Sequence, residues 1–273
     1  MTQLVLDGVS HVYPGGVRAL EAVDLRIEPG ERVALIGQNG SGKTTLVRHL
    51  NGLLRPTTGR VLHDGVDATT RTVAQLARLV GLVFQDPDRQ IFSGSVRAEV
   101  EFGPRNLGLG GDQLRAAVDE ALAAVGLEAD ARINPYDLGA SRRKLLALAS
   151  VQAMRTPVLV LDEPTTGQDL RGVAVVRRVI DEAYAAGRTV IAISHDMDFV
   201  AATFDRVVVL REGRIVLDGP PVSVFAESAW EALRSTYLEP PLAAVIGARL
   251  ELGSTPTDAA LLAALLAALP ESD

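Results

Sequence analysis

Cysteine is absent from this 273-residue chain, which excludes disulfides and thiolate-held metals and leaves a reducing compartment unremarkable. Lysine is almost absent: Lys43 and Lys144 stand alone among the 27 basic residues, so their placement carries information. No uninterrupted apolar run approaches the ~20 residues needed to cross a bilayer, and the longest Leu/Ala tract, Ala259 to Leu269, falls well short. The opening Met1-Thr2-Gln3-Leu4-Val5 lacks a basic segment followed by an apolar run, so no signal peptide is expected. An excess of positive charge is missing too. The net charge of −7 speaks against a direct electrostatic grip on DNA, RNA or anionic lipid. A role at a membrane would run through a partner protein.

What is present is enough apolar material, 47% of the residues, for one large α/β domain with an attachment. Short apolar strands alternate with helical stretches. Glu31 to Ile36 predicts a buried strand entering a glycine-rich loop. Val158 to Leu161 leads into Asp162-Glu163, and Thr189 to Ile193 leads into Ser194-His195-Asp196. Ligands of open α/β sheets collect at such carboxyl ends. Leu4 to Ile27 is expected to be antiparallel, as is Arg206 to Leu217 around Glu212-Gly213. From about 86 to 156 the texture is Ala-rich helix, with Leu114, Val118, Leu122 and Val125 on one face. Beyond Pro220, helices are separated by Pro240-Pro241 and by Gly253 to Pro256; Leu261, Leu262, Leu265, Leu266 and Leu269 form an apolar stripe that must meet another surface.

Gly37-Gln38-Asn39-Gly40-Ser41-Gly42-Lys43-Thr44-Thr45 fits the phosphate-loop pattern G-x-x-x-x-G-K-[ST] in the required strand–loop–helix setting. The glycines let Asn39, Gly40, Ser41, Gly42 and Thr45 turn backbone N–H groups toward phosphates, and the helix dipole adds positive potential. Lys43 is placed for the β- and γ-phosphates, and Thr44 offers a hydroxyl to Mg²⁺. Asp162 is the candidate second holder of Mg²⁺, and Glu163 the candidate acceptor of a proton from the attacking water.

The ordered set resembles an ABC ATPase. Gln85, after the strand Val80 to Phe84, matches the family's glutamine loop, and Leu161 to Asp169 resembles its Walker B and D-loop. His195 matches the switch histidine, and Tyr13 lies where the family places an aromatic under adenine. The resemblance implies a P-loop NTPase (RecA-like) core with an antiparallel β subdomain, an inserted α-helical subdomain at about 86–156 and a C-terminal helical extension at 221–273, the ATPase domain covering 1–220. It implies ATP and Mg²⁺ as cofactors, with Lys43, Gln85, Glu163 and His195 as catalytic residues and Thr44, Gln85 and Asp162 at the metal. Val83 to Phe92 and Val100 to Gly108 resemble the energy-coupling-factor (ECF) ATPases, which power import of vitamins or transition-metal ions. That resemblance implies a second ATPase subunit, a transmembrane coupling protein, a substrate-binding membrane subunit, no nucleic acid, and a peripheral position on the cytoplasmic face of the membrane. An importer with a separate substrate-binding protein, or a soluble non-transport ABC ATPase, is the alternative.

One motif departs from the family. The signature L-S-G-G-Q reads Leu138-Gly139-Ala140-Ser141-Arg142 here. In the family dimer that motif, with Asp169, faces the partner's nucleotide. Gly139, Ala140, Ser141 and Arg142 would therefore serve the partner's site, while Lys43, Gln85, Glu163 and His195 serve this chain's own. Ser141 offers a hydroxyl at a shifted position, and the helix dipole survives the change. The asymmetry favours a heterodimer over a homodimer.

Overall fold

The computed structural model describes residues 2–269. β1 (Leu4–Val12) and β2 (Arg18–Ile27) pair antiparallel, each alternating buried and exposed side chains as a sheet with one wet face requires. β3 (Arg32–Ile36) is buried almost throughout and runs into α1 (Lys43–Leu50). β4 (Thr58–His63) and β5 (Val66–Asp67) complete a four-stranded antiparallel sheet of order β2-β1-β4-β5. After the short α2 (Val73–Leu76), closed at its start by a Thr72/Gln75 capping box, comes β6 (Val80–Val83).

Three helices intervene before the chain returns to the sheet: α3 (Val96–Asn106), α4 (Gly111–Val125) and α5 (Ala140–Gln152). The face expected on α4 is the one that packs, since Leu114, Val118, Leu122 and Val125 are all buried. β7 (Val158–Asp162), α6 (Leu170–Ala185), β8 (Thr189–Ile193), α7 (Met197–Thr203), β9 (Arg206–Arg211) and β10 (Arg214–Gly219) follow. The second sheet has the order β10-β9-β3-β8-β7-β6, parallel except for β10. The β9–β10 hairpin turns through Glu212 and Gly213, both at positive φ (49 and 78°), as a tight two-residue turn demands.

This sheet is apolar on both faces, and the period of two sorts its side chains. Val33 and Leu35 enter a core shared with α1 and the antiparallel sheet, while Ala34 and Ile36 enter one shared with α3 to α7. The chain ends in α8 (Pro221–Val224), α9 (Trp230–Arg234), α10 (Leu242–Arg249) and α11 (Asp258–Ala267). The start of this extension is anchored: Phe225 and Leu233 are fully buried in the same core as α3 to α7. Its end is not. Leu262, Leu265, Leu266 and Leu269 are exposed, so the expected leucine stripe finds no covering surface within the described chain. Among the described residues no helix is long and apolar enough to cross a membrane.

Candidate nucleotide site

The parallel strands deliver their carboxyl ends to one cleft of about 350 Å³. Tyr13, Asn39, Gly40, Gly42, Lys43, Thr44, Thr45, Gln85, Asp162 and Glu163 line it, so most of the sequence-predicted nucleotide residues meet there although the chain separates them by up to 150 positions. Val17 of the β1–β2 connection and Arg18 and Ala19 at the start of β2 also line it, and sequence reasoning missed them because no motif marks that segment.

The loop after β3 cannot carry larger residues. A Cβ on Gly37 (φ +148°) would sit 2.2 Å from the Leu210 carbonyl oxygen, and one on Gly42 (φ +104°) 2.4 Å from that of Ala19. The β9–β10 turn supports the loop from outside, Gly213 N–H donating to the Ser41 carbonyl at 3.0 Å. Ser41 itself is buried behind the cleft. Lys43 is buried, and its Nζ donates to the carbonyls of Gly37 (2.7 Å) and Gln38 (2.8 Å). Burial pushes its amine below the usual lysine range, partly offset by the carboxylates of Glu163 and Asp162. Tyr13 donates or accepts a hydrogen bond with Thr45 Oγ1 at 3.1 Å, which fixes the ring at the mouth of the cleft beside α1.

Thr44 Oγ1 donates to Asp162 Oδ2 at 3.0 Å, while Asp162 Oδ1 is buried without a hydrogen-bond partner. Burial raises the Asp162 carboxyl above the ordinary range, with the Thr44 hydrogen bond opposing. A hydroxyl and an orphaned carboxylate oxygen side by side suit a hard cation that takes its remaining ligands from phosphate and water. Among the described residues no group of three or more His, Cys, Asp or Glu side chains could hold a metal unaided.

Glu163 stands one residue beyond that carboxylate, at φ 51°, a left-handed backbone that a non-glycine residue adopts only under constraint. Its Oε2 accepts from His195 Nδ1 at 2.7 Å and from the Thr166 hydroxyl at 3.2 Å. His195 is largely exposed and reaches the site through this bond. Gln85 is exposed at the rim; the β6 end before it is braced by Gln90, whose Oε1 accepts from Phe84 N–H (3.1 Å) and whose amide donates to the Ala147 carbonyl (2.9 Å). Gln90 and Thr166 were not foreseen, since their partners lie in other elements or emerge only from the turn after β7.

Gly139, Ala140, Ser141, Arg142 and Asp169 are not among the residues lining the cleft. Gly139 is the N-cap of α5 with no side-chain cap, and Asp169 caps α6 by accepting from Gly172 N–H at 2.8 Å. The Ser141 hydroxyl donates to Gln168 Oε1 at 2.6 Å. Arg142 is ion-paired with Asp130.

Residues 20–166 match the ABC transporter family. The energy-coupling factor transporter ATP-binding protein EcfA of Methanothermobacter thermautotrophicus is 39% identical over 94% of this chain and 82% of its own length. The cobalt import ATP-binding protein CbiO of Rhodobacter capsulatus is 41% identical over 88% of this chain and 85% of its own. Among solved structures, cbiO1 of Clostridium perfringens, part of the transporter complex cbiONQ, superposes with a TM-score of 0.75 at 37% identity over 91% of this chain and 98% of its own. The ATP-binding cassette MJ0796, solved as a post-hydrolysis dimer with ADP and phosphate, superposes with a TM-score of 0.72 at 25% identity over 80% and 98%. The chain belongs to the ABC transporter family of ATP-hydrolysing subunits, in its energy-coupling-factor and cobalt-import group.

Proposed function

We propose that the chain binds Mg²⁺–ATP in the cleft at the ends of β3, β6, β7 and β8 and hydrolyses it to power an ECF-type importer of a vitamin or a transition-metal ion. The observation that carries this reading is the convergence of Lys43, Thr44, Asp162 and Glu163, with Asp162 Oδ1 buried and unpartnered beside the Thr44 hydroxyl.

In this reading Asn39 to Thr45 cradle the phosphates with backbone N–H groups, and Lys43 exchanges its carbonyl partners for the β- and γ-phosphates. Tyr13 stacks on the base; such stacking is worth roughly 1–3 kcal/mol. Thr44, Asp162 and Gln85 hold Mg²⁺, which when bound neutralises charge developing between the phosphates. Glu163 takes the proton from the attacking water, and its fixed backbone and two hydrogen bonds hold the carboxylate toward the cleft. His195, bonded to that same carboxylate oxygen, steadies Glu163 and contacts the γ-phosphate.

A second ATPase subunit supplies the missing side of the site, and a heterodimer fits the altered signature better than two identical copies. Residues 1–220, with the helical part at about 86–156, form the nucleotide-binding domain, and 221–273 the extension; Met1 and residues 270–273 lie outside the described structure. The transmembrane coupling protein docks on the stretch after Gln85, where Phe92 and Phe102 stand exposed in edge-to-face contact with ring centroids 4.7 Å apart. A substrate-binding membrane subunit completes the assembly, which places this chain on the cytoplasmic face of the membrane.

The test is ATP hydrolysis by the chain assembled with its cognate subunits. Glu163→Gln is expected to lower kcat by about a hundredfold or more while nucleotide binding persists. A Glu163→Gln protein that still hydrolyses ATP at the unaltered rate would remove Glu163 from the chemistry.

A further inference from the structure

The residues that replace the signature are spent inside their own chain, and the manner of it is specific. Ser141 Oγ donates to Gln168 Oε1 at 2.6 Å, and Gln168 Nε2 returns a bond to the Ser141 carbonyl at 3.0 Å. A hydroxyl has one proton. With that proton on Gln168, Ser141 has only lone pairs left, which a phosphate repels.

The Gln168 side chain has a seat. It lies across the first turn of α6 at Gly172, where a Cβ would fall 2.1 Å from Gln168 Oε1 and 3.0 Å from its amide carbon. The glycine carries no positive φ there, so its lack of a side chain, rather than its backbone freedom, is what the seat uses. One residue past the Arg142–Arg143 pair, Lys144 Nζ donates to the Thr166 carbonyl at 2.7 Å, and the Thr166 hydroxyl donates to Glu163 Oε2 at 3.2 Å. The segment 166–168 is thus bound to α5 at both ends, and its first residue holds the carboxylate of Glu163.

We propose that Gln168, seated at Gly172 and paired with Ser141, is a positioning residue: it latches the segment that orients Glu163 to the N-terminal turn of α5. The carboxylate of this chain's own site then follows the placement of the helix end that, in the proposed dimer, faces the other nucleotide. The inference rests on Glu163 acting as the base.

The test is steady-state ATP hydrolysis by the assembled complex, with kcat and KM separated and the thermal midpoint recorded for each variant. Gln168→Ala and Ser141→Ala are each expected to lower kcat about tenfold with KM within about twofold, and the double variant to be no worse than either single one. Ser141→Thr, which keeps the hydroxyl, should retain activity. Gly172→Ala is the sharpest arm. Alanine is the better helix former, so the midpoint should hold or rise while kcat falls as in Gln168→Ala. In the Gln168→Ala background the same change should do nothing further. Unchanged kcat in Gln168→Ala and Gly172→Ala, or a multiplicative loss when they are combined, overturns the latch. Glu163→Gln run alongside separates the two claims: if it alone abolishes turnover, the latch fails and the base stands, and if it leaves turnover intact, the base fails first.

Discussion

The phosphate loop and the N-terminus of α5 are both helix starts with unsatisfied backbone N–H groups, yet the chain treats them in opposite ways. At the loop, carbonyl oxygens press against Gly37 and Gly42 at distances no Cβ tolerates, and the polar groups of Lys43, Thr44 and Asp162 face a cleft. At α5, Gly139 has open space around it, and the side chains of Ser141 and Arg142 turn back onto Gln168 and Asp130. At the loop the side-chain donors also have partners, Lys43 on the Gly37 and Gln38 carbonyls and Thr44 on Asp162, but those partners lie at the rim of a cleft that a phosphate and a cation can enter. At the α5 turn the Ser141 hydroxyl is bonded to Gln168 and Arg142 is paired with Asp130, so in the proposed dimer the turn would offer a partner's nucleotide chiefly backbone N–H groups and the helix dipole.

Substitution at the two places should therefore give unequal results. Gly42→Ala forces a Cβ against the Ala19 carbonyl at positive φ, and nucleotide affinity should fall by about a hundredfold or more. Titrating a fluorescent ATP analogue measures this directly; wild-type affinity would show that the loop is looser than its contacts imply. A Cβ at Gly139 meets nothing within 4 Å, so Gly139→Ser should leave the fold intact. It restores a hydroxyl at the helix start, and turnover at the site this turn would complete in the proposed dimer should rise about tenfold, part of the ~100-fold or more that one well-placed transition-state donor is worth. Equal turnover in Gly139→Ser and wild type would mean that backbone alone suffices there.

Much of this contrast was legible in the sequence and part was not, for physical reasons. Gly37 to Thr45, Asp162 and Glu163 could be read because each sits on a strand end whose own apolar run announces it. The leucine stripe of α11 was legible as apolar, but its partner is not in the described chain. Ser141 pairs with Gln168 across 27 positions, and no local pattern marks a contact created by packing α5 against the turn before α6. Gly172 reads as a poor helix residue until the Gln168 amide is seen lying over it. Phe225 likewise belongs to the sheet core although it lies in what the sequence presents as an appended segment.

A stability effect away from both regions serves as their control. His63 is fully buried, and burial, aided by the charge of Arg71 and opposed by Asp64 and the Leu50 backbone, pushes its pKa down to about 4. The unfolded chain takes up a proton near pH 6.5 and the folded chain does not, so this residue's contribution is fully present above that pH. It is lost as pH falls from about 6.5 to about 4, by about 3 kcal/mol in total. Denaturant unfolding across that window should show the loss, and His63→Leu should flatten it without touching nucleotide binding. An unchanged slope in His63→Leu would place the acid sensitivity elsewhere.

If, as proposed, this chain owns the competent site of an unequal pair, the two catalytic carboxylates of the pair are not interchangeable. In the complex assembled from this chain, its partner ATPase and the membrane subunits, the catalytic carboxylate is neutralised in one ATPase at a time and hydrolysis is measured. Glu163→Gln in this chain is expected to remove nearly all turnover, whereas the equivalent change in the partner leaves most of it. Equal losses from the two changes, or robust hydrolysis by this chain alone, would contradict the unequal pair.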